Sequence, residues 1–279
     1  MKNILIINKN PQDTERTTAL ALLLAGTTNT KLYFWNAPMI QTHSYAAEMS
    51  VAVANKILPA RPVSKHRWIE QLQRKFYLQT GLKTLAEFIE NIHFVSDNIA
   101  AIVRKFNIGL LIKGIPENAD QELPVIESDV LSCSAKSGCP VLLVPEQFPY
   151  KTLEKIVYAT DLRYCRQGVI RFLSKLAINF NASVLIANIA AKGLPFMEHN
   201  YALDVFKDTI AHPASHDHFH FNNIWERDIP KAIDILANDM NTDLLVLVNH
   251  RYHFNELFGA AIPYRLPAYI RIPVLLFPC

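Results

Sequence analysis

At 279 residues, half of them hydrophobic and 19% charged, the chain is long enough for two ordinary domains, each with a core of its own. That balance excludes a disordered chain. A formal net charge of +3 is too small to argue for nucleic acid or an anionic membrane as the partner.

Residues 2–8 (KNILIIN) form a short continuous apolar run, the mark of a strand covered on both faces in a parallel sheet. Asp13 and Glu15 sit where acidic residues favour the start of a first helix, and residues 31–35 read as the second strand. Next comes a stretch holding residues 45–57, Pro59, Pro62 and a helix-like segment at 65–78 bearing Trp68, Leu72 and Phe76. Lys56, Arg61, Lys65, Arg67, Arg74 and Lys75 make it basic; it reads as a solvated helical face over the sheet or as an arm for a partner. A third strand is expected at 92–95, with Ser96-Asp97 as a capping pair behind it. A buried strand from Ile108, a polar loop, a helix and a final strand ending at Pro145 follow.

Residues 146–152 look like a linker, after which the series starts again. Residues 155–161 (KIVYATD) match the first strand, with Ile156 for Ile4. Val169, Phe172, Leu173, Leu176, Ala177 and Phe180 recur at helical spacing and make one apolar stripe. Strands are expected at 183–189 and 217–221. Residues 228–240 (DIPKAIDILANDM) predict a helix with Ile229, Ala232, Ile233, Leu236, Ala237 and Met240 inward, Asp228 as N-cap and Pro230 in its first turn. Then come a buried strand at 244–248, a polar loop, a helix and a last buried strand at 274–277.

The segment from Cys139 to Pro145 lines up with that from Ile272 to Pro278, and a repeat of this length fixes the domain count. Two α/β units are expected, at 1–147, with a helical insertion at about 37–90, and at 153–279. Strands alternating with helices imply right-handed βαβ crossovers, hence an open five-stranded parallel sheet in each unit with helices on both faces. The four cysteines form no C-x-x-C pair and read as ordinary reduced thiols. No run of about 18 apolar residues offers a membrane span, and the opening apolar run is too short for a secretion signal. A soluble cytoplasmic protein is the expectation.

In combination, Asp161 closing a first strand, Asp228-x-Pro230 opening a helix, Asp243-Leu-Leu-Val and Pro273-Val-Leu-Leu resemble the universal stress protein family, over almost the whole chain as a tandem pair. The resemblance implies an adenine nucleotide alpha hydrolase-like fold, a cytoplasmic role in stress survival and pairing of units, within one chain or as a homodimer. Many members bind ATP through G-x-x-G-x9-G-[ST]. Glycines there let backbone N–H groups approach the phosphates at a helix N-terminus, and an acidic residue after the first strand holds the adenosine.

Held against that pattern, the first unit keeps Gly114 and Ser128, but Glu117 and Glu127 replace the other glycines and the acidic position falls near Lys9. Carboxylates facing a triphosphate repel it by about 1–4 kcal/mol per close pair, so this unit should not bind ATP. The second unit keeps Asp161, and Gly259-Ala260 match the Gly-Ser that opens the last helix. Its first two glycines fall on Asn249 and Tyr252 in a shorter loop, where His250, Arg251 and His253 could attract an anion. The candidate ATP or AMP site is therefore Asp161, Asn249, His250, Arg251, Gly259 and Ala260, with no cofactor as the leading expectation.

His212, His216, His218 and His220 crowd one stretch, and alternate imidazoles on a strand could share a transition metal or simply make a polar face. Cys165 opens a helix, where a thiol's pKa can fall. No G-x-S-x-G, G-x-x-x-x-G-K-[ST] or H-E-x-x-H is present, so no catalytic residue is assigned. Three functions stay open. These are a stress protein acting through protein contacts without catalysis, a nucleotide sensor using the second unit, and a metal binder or enzyme at the same crevice.

Overall fold

Continuous apolar strands need cover on both faces and a neighbour on each edge, and one sheet supplies both. The computed structural model describes residues 2–8, 15–36, 65–89, 99–115, 125–126, 128–149, 151–191, 193–211, 218–249, 252–259 and 264–279. In the first half these form β1 (Asn3–Asn8), α1 (Glu15–Thr27), β2 (Leu32–Asn36), α2 (Lys65–Thr80), β3 (Ala86–Phe88), α3 (Ile99–Lys105), β4 (Ile108–Ile115), β5 (Val125–Ile126), α4 (Ser128–Ser137) and β6 (Val141–Pro145). The second half gives β7 (Lys155–Thr160), α5 (Gln167–Phe180), β8 (Ser183–Ile189), α6 (His199–Phe206), β9 (Phe219–Ile224), α7 (Ile229–Asp234), β10 (Leu244–Val248), α8 (Tyr252–Phe258), β11 (Tyr264–Arg265) and β12 (Val274–Phe277).

The ten long strands make a single sheet ordered β3-β2-β1-β4-β6-β12-β10-β7-β8-β9. Read outward from its middle, each half has the same order, and every pair within a half is parallel. The halves join where β6 and β12 run antiparallel, with Leu142 opposite Leu275 and Val141 opposite Leu276. Leu142 and Leu275 are counterparts in the sequence repeat, so each half meets the other through the same surface, as subunits do about a two-fold axis. All of these side chains are buried. A second antiparallel pairing, β5 with β11, ties the halves again.

Four asparagines mark the repeat in the backbone. Asn29, Asn107, Asn181 and Asn241 all have φ of 50–52°, each after a helix and before a strand. Asparagine tolerates this left-handed conformation better than most residues. Asn181 stands 152 residues after Asn29, as Ile156 does after Ile4, and Asn241 stands 134 after Asn107.

Several expectations need correcting. The third strand of the first half is β3 at Ala86–Phe88, inside the expected insertion; residues 92–95 and Ser96-Asp97 lie outside the described residues, as do 45–57 and Asp13. β9 starts and ends later than expected, at Phe219–Ile224, since Asn223 is drawn inward to a polar partner. The 228–240 helix begins as read, with Asp228 Oδ1 accepting from Lys231 N at 3.1 Å, but it widens into a π-helical turn at Ile235–Asp239, and Met240 is exposed. The helix expected after Gly259 comes before it, as α8. Among the described residues, no helix is long and apolar enough to cross a membrane.

Candidate functional site at the switch point of the second half

In a sheet of this kind the strand order reverses between β7 and β10, and open α/β sheets place ligands beyond the carboxyl ends of the strands at that point. Asp161 follows β7 and Asn249 follows β10, so the fold brings these two predicted residues to the two sides of the switch point. Both are buried. His250, Arg251 and Ala260 lie outside the described residues.

Asp161 accepts three hydrogen bonds from its own chain. Its Oδ1 accepts from Arg163 N at 3.0 Å and caps the short 3-10 turn Leu162–Tyr164. Its Oδ2 accepts from Ala191 N at 3.2 Å and from Arg163 Nη1 at 2.8 Å. Arg163 Nη2 reaches on to Pro195 O at 2.5 Å. Three of the carboxylate's roughly four acceptor sites are thus taken by its own chain.

Beside it, two asparagines close the ends of β8 and β9. Asn188 Oδ1 accepts from Leu162 N at 2.9 Å, and its Nδ2 donates to Asn223 Oδ1 at 2.8 Å. Asn223 Nδ2 donates to Met197 O at 3.0 Å. Together with Asp161, this buried network pins the segment that follows β8 across the strand ends. Sequence reading missed Arg163, Asn188 and Asn223; the available signal was Asn188 near the end of the apolar run of β8 (SVLIANI).

The loop expected to cradle phosphates is a helix instead. His253, Phe254, Leu257 and Phe258 of α8 are buried, because the shortened loop carries apolar residues at helical spacing. Gly259 closes this helix: its N–H donates to Asn255 O at 3.0 Å, and its φ is +93°. A helix C-terminus presents carbonyls and the negative end of the dipole, the wrong sign for a phosphate.

His253 reaches from α8 into the crevice and lies 2.8 Å, by Nε2, from Ile189 O at the end of β8. A carbonyl only accepts, so the ring donates from Nε2. Burial lowers its pKa, against the opposing pull of that hydrogen bond and of the Asp161 charge. The ring is neutral at pH 7, and the expectation that His253 attracts an anion is corrected.

Burial governs Cys165 as well. It follows the 3-10 turn ahead of α5, yet burial pushes its thiol up to about 12, so it is a poor nucleophile. His220, on β9, is exposed and His218, just before it, is half-buried, while His212 and His216 lie outside the described residues. Among the described residues, no three His, Cys, Asp or Glu come together as a metal could require. In the first half, Gly114 is buried in β4 opposite Val144 and Ser128 is the first residue of α4; Lys9, Glu117 and Glu127 lie outside the described residues.

The chain is similar in structure to a universal stress protein from Archaeoglobus fulgidus DSM 4304, at 12% identity and a TM-score of 0.58, over 99% of this chain and 98% of the other. Two structures from Pseudomonas aeruginosa are similar at 15% identity over 99% of this chain and 92% of theirs. One, from strain UCBPP-PA14, is ascribed to a universal stress protein (TM-score 0.55). The other, from strain PAO1, is a protein of unknown function (TM-score 0.56). The likeness is one of fold: over nearly its whole length the chain has the universal stress protein fold, an adenine nucleotide alpha hydrolase-like α/β sheet. No protein-family model and no curated protein matches the sequence.

Proposed function

We propose that the chain is a tandem universal-stress-type protein of the cytoplasm that acts through protein contacts, without catalysis and without a nucleotide cofactor. Its units are residues 1–147 and 153–279, and the β6–β12 pairing stands in for the dimer contact between them. One observation carries this reading: the crevice of the second unit is filled from within. Asp161 is taken up by Arg163 and Ala191, His253 occupies the strand ends, and Gly259 ends a helix where a phosphate needs one to begin.

The test is thermal unfolding of the full chain with and without millimolar Mg-ATP, ADP and AMP. A ligand that binds only the folded state adds about 2.7 kcal/mol at 100 times its dissociation constant. No shift with any of the three is expected. A second reading, a one-site nucleotide sensor, draws on the placement of Asp161 and Asn249 at the switch point. An upward shift that Asp161→Ala removes establishes it and overturns the first.

A further inference from the structure

We infer that the outer face of α2 and the ribbon running from it into β3 form a docking surface for an extended, acidic, leucine-bearing segment of another protein. The inference rests on the reading that this chain works through protein contacts, and it names the chemistry of the partner.

Charge points there first. Residues 65–89 hold Lys65, Arg67, Arg74, Lys75 and Lys83 against Glu70 and Glu87 only, a surplus of three. That surplus equals the net charge of the whole chain. Glu87 is paired with Lys31 at 2.5 Å. Among the described residues, no carboxylate engages Arg74 or Lys83. Such a field attracts an acidic partner and speeds its approach.

Apolar exposure coincides with it. Leu78 is 74% exposed, Leu85 71% and Tyr77 46%. Single exposed hydrophobics need no explanation, but three within nine residues, set among cations, make a patch. They do not serve the fold, because α2 packs through its other face: Ile69 and Phe76 are buried, and Trp68 lies 5.5 Å from Phe34, ring centre to ring centre.

The backbone holds the two parts together. Gly81, at φ +72°, turns the chain back after α2, and Gln73 Nε2 donates to Thr84 O at 2.5 Å, so the returning ribbon lies along the helix. From Leu82 to Phe88 exposure alternates, with Lys83, Leu85 and Glu87 outward. The ribbon is therefore extended before β3 begins. Leu32 N donates to Leu85 O at 2.8 Å, which fixes it to β2, and among the described residues β3 is the last strand of the sheet at this end. An extended partner lying beside such an edge can place alternate apolar side chains on Leu85 and Leu78 and carboxylates on Arg74 and Lys83. A bilayer fits less well, since the continuous apolar stripe of α2 faces the core.

The probe is a fluorescein-labelled decapeptide alternating glutamate and leucine, titrated by anisotropy with the full chain. Saturable binding is expected, weakened about tenfold between about 50 mM and about 300 mM salt. The double variant Arg74→Glu/Lys83→Glu should weaken it at least tenfold, and Leu78→Ser/Leu85→Ser about fivefold. All four positions are exposed, so both variants should unfold at the wild-type temperature. Absence of binding, or binding the variants leave unchanged, overturns the inference. So does binding to phosphatidylglycerol vesicles but not the peptide, or self-association abolished by the leucine variant. A nucleotide shift in the unfolding experiment would overturn the functional reading without touching the peptide result, so the two failures are distinguishable.

Discussion

Two buried aspartates of the second half invite comparison, because the same chemistry stands at opposite ends of the same strands. Asp243 precedes β10 and Asp161 follows β7, and they are 4% and 2% exposed. Asp243 Oδ2 accepts from Glu154 N and Lys155 N, both at 2.8 Å, and Oδ1 pairs with Lys151. Asp161 likewise holds two backbone N–H groups and one cation. One lies at the amino ends of the strands, where no ligand is expected, and the other at the carboxyl ends beside the switch point. Both nevertheless do the same work, fastening a loop to a strand. A carboxylate at the right place in the fold is thus not by itself a binding group; it must also have acceptor capacity that its own chain has not claimed.

The comparison is sharpest under truncation. Asp243→Ala should have the largest effect, roughly 3 kcal/mol, because it strips two backbone donors of a short-range acceptor and Lys151 of its counter-ion. The check is a lower urea midpoint with an unchanged slope. Asp161→Ala should lose less, about 2 kcal/mol, since its two backbone hydrogen bonds are longer, 3.0 and 3.2 Å against 2.8 Å for both of those to Asp243. A larger loss than that of Asp243→Ala would break the comparison and mark the crevice as the stronger clamp.

His253 tests the filling of the crevice. Its folded pKa is lowered by burial, so below about 6.5 the unfolded chain takes up a proton that the folded one refuses. Stability should therefore fall as pH drops through that value. His253→Phe should lose about 1 kcal/mol at pH 7, for the bond to Ile189 O, and should flatten the acid-side decline in unfolding free energy. An unchanged acid limb would remove His253 as its source.

The smallest effect belongs to Cys165. Burial raises its pKa to about 12, whereas the unfolded thiol ionises from about pH 8.5. Stability is present below that pH and lost as pH rises toward the folded value. Cys165→Ala should lessen the alkaline loss, with Tyr158 and Tyr269, also raised by burial, supplying the remainder. An alkaline limb identical to wild type would show that Cys165 contributes nothing to it.

The repeat, most strand positions and the fold could be read from the chain, because apolar runs and helical stripes are local patterns that a parallel sheet requires. The N-cap at Asp228 was legible for the same reason, a side chain bonding three residues away. The candidate site was legible only in part. Asp161 was found from its place after a strand, but its saturation by Ala191 and Arg163 was not, since Ala191 is 30 residues away.

Gly259 shows where sequence alone stops. A glycine serves equally at the start of a phosphate-binding helix and at the left-handed end of another, and the letter does not distinguish the two. Only packing decided, by burying Phe254, Leu257 and Phe258 and so placing a helix ahead of the glycine. The joining of the halves was decided in the same way. The chain by itself determined two apolar runs of matching sequence, Val141–Pro145 and Val274–Phe277. That they lie side by side, Leu142 opposite Leu275, follows from the need of two unpaired sheet edges for hydrogen-bonding partners, and only the tertiary structure could satisfy it.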